Sequence, residues 1–392
     1  MSASRRPRTS GPLFRRLKLR SALPALPILG ILLLLWGLLH FFPLGQPASQ
    51  VGGAPGKPGG TAMGPAPSGE VWTQAQGLPK QTMSLTFSTK VPGVGFATAF
   101  VDKATRALYA TTDGGTTWSH VTDTQAPVAE VLVVDPTNAQ DLVMLSTQSP
   151  APGAYTLQRS TDGGHTWQPQ ATTLPSSATV SQWGWADDTF LVSFQLDRVP
   201  TGDSALVAFP ASGASLHLDV DGKINGVSIP FVQLLTSFHH RLQVWGTDDA
   251  QTPHVIGLAT ANLGKTWQTL SVTAGGKAIA PVATTADGAS LVALTTDQTQ
   301  AALSHDGGLT WQLQKSLGSG AFHADRQAFV TGAGQPLLHV ASGTAPGMYG
   351  LRNGDWARVT ARDVIAVSTD ANGNLHRLWS YDTSGLVTWM SY

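Results

Sequence analysis

Cysteine is absent from the 392 residues, which excludes disulfides, thiolate metal sites, a cysteine nucleophile and a lipid-bearing N-terminal cysteine. Glutamate is nearly absent as well, with Glu70 and Glu130 the whole supply. With 42 Gly, 25 Pro and 12 Trp beside abundant Thr and Val, the composition argues against long helices and for short strands joined by tight turns. Acids are missing from residues 1–20, which carry Arg5, Arg6, Arg8, Arg15, Arg16, Lys18 and Arg20. The rest of the chain holds 17 basic against 24 acidic residues, an acidic balance that argues against nucleic acid, whose phosphates require a basic surface.

From Ser21 to Leu44 no residue is formally charged, and ILGILLLLWGLLHFF forms the centre of the run. A bilayer core is crossed by about 20 apolar residues, so this segment is expected to be a transmembrane helix. The basic arm before it predicts a cytoplasmic N-terminus and an extracytoplasmic C-terminal domain. A cleaved signal peptide is the rival reading; against it, the apolar core continues into FFPLGQPASQ with no A-x-A cleavage pattern. Residues 45–69 are mostly Gly, Pro, Ala and Ser, a composition that cannot bury enough apolar surface to offset its ordering entropy. The expected division is therefore a basic cytoplasmic arm over 1–20, a transmembrane signal anchor over 21–44, a linker over 45–69 and one folded domain over 70–392.

One eight-residue phrase recurs in that domain: TTDGGTTW at 111–118, STDGGHTW at 160–167, TANLGKTW at 260–267 and SHDGGLTW at 304–311. Repetition at a period of tens of residues marks a repeat architecture. Asp followed by Gly-Gly between two β-type runs is a hairpin signal, because Gly supplies positive φ and the carboxylate accepts amides of its own turn. The tryptophan spacings of 49, 100 and 44 residues leave room for one worn copy near 216, and a further unit ends at Trp356. The tail after Arg362 holds three strand-like runs and stops where a fourth is due. The stretch SGEVWTQ at 68–74 supplies that fourth strand, with Trp72 standing as Trp167 stands in its own phrase.

The phrase resembles the Asp box, or BNR repeat, of pattern S/T-x-D-x-G-x-T-W. That resemblance implies an all-β seven-bladed β-propeller with the phrase between the third and fourth strands of a blade, and with sheet edges sealed by closing the ring. Six blades is the alternative if the stretch near 216 is an insertion. The structural residues it implies are Asp113, Gly115 and Trp118; Asp162, Gly164 and Trp167; Asn262, Gly264 and Trp267; and Asp306, Gly308 and Trp311. One carboxylate per blade around a ring does not converge on one ion, so no metal and no cofactor is expected.

Sialidases share the box, but the R-I-P phrase that carries their first arginine is missing, and two glutamates leave little choice of partner for a tyrosine nucleophile. The overall pattern is closer to non-enzymatic propellers of the photosystem II assembly factor and sortilin kinds, which implies no catalytic residue and a protein-binding or assembly scaffold. A carbohydrate-active protein, either a sialidase-like glycosidase or a lectin using the channel, is the alternative.

Candidate binding-face residues are Glu130, at the start of the first strand of blade two, and Trp183 with Trp185, spaced to stack a sugar or to fill the core. Asp248 and Asp249 lie in a loop suited to a cation or a basic partner, and Arg358 and Arg362 form a basic concentration with Arg352. His239 and His240 read as adjacent strand residues on opposite faces. Partners expected are the membrane through one N-terminal helix, and a protein or a glycan.

Overall fold

A computed structural model describes residues 70–392 apart from 89–90, 103–104, 126–127, 136–137, 148–154, 171–179, 195–204, 212–214, 220–222, 249, 251, 253, 317–323 and 341–344. The expected arm, anchor and linker lie outside the described residues. Among those described, no helix is long and apolar enough to cross a membrane.

Strand β1 (Thr73–Gln74) stands alone at the start. Blade 1 follows as β2 (Thr82–Phe87), β3 (Gly95–Phe100), β4 (Thr105–Thr111) and β5 (Ser119–Gln125). Blade 2 holds β6 (Val128–Asp135), β7 (Asn138–Thr147), β8 (Tyr155–Ser160) and β9 (Gln168–Gln170). Blade 3 holds β10 (Val180–Ala186), β11 (Thr189–Phe194), β12 (Leu206–Phe209) and β13 (Leu216–His217), so the stretch near 216 is a blade rather than an insertion. A small hairpin of β14 (Lys223–Ile224) and β15 (Val227–Ser228) leads to blade 4, made of β16 (Phe231–Phe238), β17 (Arg241–Thr247), β18 (Val255–Thr260) and β19 (Gln268–Thr269).

In blade 5, β20 (Thr273–Ala274) folds back on β21 (Lys277–Thr284), which continues into β22 (Leu291–Thr295), β23 (Ala301–Ser304) and β24 (Gln312–Leu313). Blade 6 is β25 (Ala324–Val330), β26 (Pro336–Val340), β27 (Gly347–Arg352) and β28 (Asp355–Thr360). Blade 7 is β29 (Ala366–Thr369), β30 (Leu375–Tyr381) and β31 (Val387–Ser391), completed by β1, with Thr73 opposite Trp389 and Gln74 opposite Thr388. Seven blades and a shared last blade are therefore observed. First strands adjoin one another around the axis, β2 touching β29 and β6, and β16 touching β10 and β21.

Among the described residues, every core cluster except one confined to blade 5 is built across a seam between blades. Val133, Val143, Leu145 and Leu157 of blade 2 meet Trp183, Trp185, Phe190, Val192 and Phe194 of blade 3. Leu85, Phe87, Ala97 and Trp118 of blade 1 meet Ala366, Trp379 and Val387 of blade 7. Burying such a side chain stabilises by about 1.5–3 kcal/mol, and a blade cannot collect it without its neighbours.

The four box turns lie between third and fourth strands and lock into the preceding blade. In the first, the Thr111 hydroxyl donates to Asp113 Oδ1 at 2.8 Å and accepts from the Gly115 amide at 2.9 Å, while Thr117 donates its hydroxyl to Asp113 Oδ2 at 2.7 Å. Gly115, at φ 87°, is where Trp379 of blade 7 packs: a Cβ there would stand 2.2 Å from the indole. Gly164 receives Leu108 of blade 1 in the same way, its virtual Cβ 2.1 Å from Leu108 Cδ2. Trp118 closes the turn by donating Nε1 to the Gly115 carbonyl at 2.9 Å, as Trp167 does to Gly164 and Trp311 to Gly308.

The divergent copy keeps this geometry with one reversal. Asn262 Oδ1 accepts from the Thr260 hydroxyl and the Thr266 amide, each at 2.9 Å, whereas Asn262 Nδ2 donates to the Thr266 hydroxyl at 2.9 Å. The threonine has changed from donor to acceptor. Leu263 replaces the first glycine at φ 51° and Gly264 keeps the second position.

Candidate functional site

Turns between first and second strands share a face with the box turns. The loops between second and third strands, and the connections between blades, share the other. His239 and His240 lie on the box face: they are the turn between β16 and β17, with φ 49° and 59°, not a strand pair. His240 Nδ1 faces Asp187 Oδ2 at 3.0 Å, and Asp187 with Asp188 forms the adjacent turn of blade 3.

On the opposite face one residue type recurs one or two residues after the second strand. Asp102, Asp248, Asp297 and Asp382 each accept amides of their own loop: Thr105 at 2.8 Å, His254 at 2.8 Å, Thr299 at 3.1 Å, and both Ser384 at 2.8 Å and Leu386 at 2.9 Å. Asp248 therefore spends Oδ1 on the His254 and Ala250 amides and Oδ2 on the His254 ring at 3.1 Å, so its carboxylate holds the loop rather than standing open to a cation. The His254 amide, acting against partial burial and helped by the His254 ring and the Ala250 amide, holds this carboxyl below the usual range. Asp249 lies outside the described residues. Among those described, no group of three His, Cys, Asp or Glu residues could hold a metal ion.

Trp183 and Trp185 stand on the innermost strand of blade 3 at 6% and 4% exposure, inside the seam with blade 2. Burial leaves neither ring a free face for a sugar. Trp185 packs on Phe190 and lies beneath Arg159, whose guanidinium makes a buried two-point pair with Asp141 and donates to the Asp188 carbonyl across the seam at 3.2 Å.

The three arginines of blades 6 and 7 do not form one patch. Arg352 sits beside the turn of β27 and β28, donating Nε to the Tyr392 hydroxyl at 2.7 Å. Arg358 donates to the Pro346 carbonyl. Arg362 lies 4.6 Å over the Trp72 ring and reaches Thr388 Oγ1 at 3.4 Å. Around Trp72, Glu70 accepts from the Trp72 indole and the Thr360 hydroxyl at 3.0 Å each and from the Ala361 amide at 3.3 Å. These groups clasp the incoming strand. Beyond it, the Trp118 amide donates to the Gln76 carbonyl at 2.9 Å, so residues 70–76 touch blades 6, 7 and 1 in turn.

One further feature, a set of bulges in the innermost strands, has no counterpart in the residue pattern. In the first strand of blades 1 to 4 one extra residue interrupts the ladder at the same place, Met83, Glu130, Ser181 and Gln233, and in blade 5 the extra residue Val282 comes two pairs nearer the turn. In blade 6 the interruption spans 325–327. In blade 7 the ladder begins at Ala366, and the amide of Ile365 before it donates to the Trp379 carbonyl at 2.8 Å. Met83, Gln233, Val282 and Ile365 are each half-buried between two buried neighbours, and Ser181 is buried against Ser193 Oγ at 2.7 Å.

A bulge turns its extra residue out of the regular alternation. Side chains from the preceding blade hold the bulges: Gln182 Nε2 donates to the Gln233 carbonyl at 2.5 Å, and the Tyr381 hydroxyl donates to the carbonyls of Thr82 at 3.1 Å and Met83 at 3.3 Å. Burial pushes the Tyr381 phenol up to about 12. Tyr381 thus lies at the end of a second strand and reaches the first strand of blade 1.

No protein family model matches the chain, and no curated protein matches it in sequence. Solved structures do match it in fold. A prolyl endopeptidase is 10% identical at a TM-score of 0.51, covering 80% of this chain and 50% of its own. The GH74 enzyme of Niastella koreensis is 15% identical at a TM-score of 0.47, covering 76% of this chain. YCF48 from Cyanidioschyzon merolae is 13% identical at 0.48, covering 82% of this chain and 98% of its own. The chain spans about half the length of the two GH74 structures it matches. At such identities the likeness concerns fold alone, and it agrees with the strand order: this chain folds as a seven-bladed β-propeller closed by its own first strand.

Proposed function

We propose that the chain is a membrane-anchored, extracytoplasmic β-propeller of the Asp-box superfamily that binds a protein partner as an assembly scaffold. On this reading residues 1–20 are a cytoplasmic arm, 21–44 the signal anchor and 45–69 the linker that holds the 70–392 propeller off the membrane. The observation that carries it is the loop face. Four of its described loops are fixed by their own aspartates, and loops held in one conformation on a scaffold suit contact with a protein surface.

The reading is tested by in vivo photo-crosslinking from single sites on the loop face, Ser384 and Thr299, with Lys265 on the box face as comparison. Discrete adducts from the loop face alone are expected. Adducts from both faces equally, or steady hydrolysis of a sialoside by the purified chain, would overturn it. Placement is tested by protease shaving of intact cells stripped of any outer membrane, where loss of the propeller supports the anchor topology and full protection sinks it.

A further inference from the structure

The box turn of blade 4 keeps its geometry and changes its surface. Where the other three copies carry Asp and Gly it carries Asn262 and Leu263, so a carboxylate is gone and a leucine stands 43% exposed at φ 51°. Glycine would hold that backbone without strain and leave no apolar side chain in water. Two residues on, Lys265 is exposed. The adjoining turn of the same blade, joined to this one through the pair of Leu242 and Thr260, has the same character. His239 and His240 are exposed at φ 49° and 59°, and the exposed Arg241 after them reaches across the blade to Gln268 Oε1 at 3.3 Å. Phe238, which opens that turn, packs on Gly307 in the box turn of blade 5, whose Leu309 is 56% exposed. Three of the seven described non-glycine residues at positive φ therefore stand on one ridge of three adjoining turns. Asp306 on this ridge is occupied by donors of its own turn, and Asp187 of blade 3 faces His240 at 3.0 Å.

Apolar tips with cations beside them, presented at the cost of backbone strain, match a bilayer surface: leucine enters the acyl boundary while Lys and Arg meet lipid phosphates. The rest of the chain says which surface. The uncharged run ends at Leu44 and only the 25 residues from Gly45 to Gly69 separate it from the propeller, so a bilayer holding that run is present at high effective concentration and a weak contact is enough. We propose that this ridge docks on the bilayer to which the chain is anchored, with Leu263 and Leu309 as its inserted tips and Lys265 and Arg241 on lipid phosphate. The proposal rests on the anchor of the reading above and goes beyond it, assigning the box face to lipid and leaving the loop face to the partner.

The chain has no cysteine, so one introduced thiol carries one label. Full-length chain with a fluorescent label at Ala261→Cys on the ridge, or at Ser384→Cys on the loop face, is reconstituted into vesicles of phosphatidylcholine and phosphatidylglycerol whose acyl chains are brominated to quench it. Quenching at position 261 well above that at 384 is expected. Leu263→Gly should lower the ratio of docked to free ridge about fivefold, the partial burial of one leucine, without lowering the thermal midpoint, because glycine suits the backbone there. Lys265→Glu should lower the ratio as well. Equal quenching at 261 and 384, or quenching at 261 that both variants leave unchanged, overturns the docking. Flotation of the vesicles separates the two readings. A chain that does not float with them sinks the anchor and the docking together, whereas a chain that floats with its ridge unquenched sinks the docking alone.

Discussion

At the scale of single residues, aspartate in this protein is mainly a fastener. Burial pushes the Asp113 carboxyl up, but the Thr117 hydroxyl and amide and the Thr111 hydroxyl outweigh it and hold the group at about 2. Asp162 and Asp306 are lowered by the same kind of contacts. A depressed carboxyl stabilises the fold above its unfolded value, near 3.8, and the contribution disappears as pH falls through the folded value. Stability is therefore expected to hold down to about pH 4 and to fall between roughly pH 4 and 2. Because Asn262 shows that an amide keeps the turn, the Asp113→Asn, Asp162→Asn and Asp306→Asn triple variant should fold and show a flatter acid limb in urea titrations. A limb as steep as the parent's would refute the assignment.

Gly164→Ala places a Cβ against Leu108 at a φ of +90°, and should cost about 2–4 kcal/mol by equilibrium unfolding. Combining it with Leu108→Ala should recover part of that steric loss; strict additivity would show that the contact is not the cause. The same residue type misleads at Asp248. From sequence, a carboxylate that caps its own loop and one that waits for a ligand look alike.

At the scale of elements, the turns and their blades were legible because the box combines a φ requirement, a capping side chain and a tryptophan at fixed spacing. The closing strand was legible for the same reason: β1 begins one residue after Trp72, as β9 begins one residue after Trp167. The bulges were not, since the extra residues Met83, Glu130, Ser181, Gln233 and Val282 share no side-chain chemistry and the signal lies in the register. The β14–β15 hairpin escaped because its strands are two residues long. His239 and His240 misread as a strand because non-glycine residues at positive φ are uncommon. Deleting residues 70–76 removes β1, the clasp and the contact with blade 1 together. A lowered thermal midpoint with fast exchange of β31 amides is expected; unchanged cooperative unfolding would refute the shared blade.

At the scale of the whole molecule, the ring is held by seams and by one noncovalent closure. Arg377 of blade 7 donates to the carbonyls of Asp113 and Gly114 in blade 1, beside the Trp379 contact, so the last blade grips the first through its own second strand as well as through residues 70–76. A circular permutant that begins at Pro79 and carries residues 70–78 after Tyr392 through a short Gly-Ser turn should keep the fold, because the order of strands in space is unchanged. It should also refold faster, since closure becomes a local hairpin. A permutant that unfolds without cooperativity would show that the split is required.

The split also sets a schedule. Glu70 meets Thr360 across 290 residues of chain, and β1 finds its partner only after Trp389 has been made. While the chain is being synthesised, the first strand has no edge to join and blade 1 has no neighbour behind it. The ring is sealed in one late event that waits for β31, made after the other six blades. A ribosome that stops before β31 therefore releases an open array of six blades and a fragment, with strand edges exposed, rather than a slightly shortened propeller.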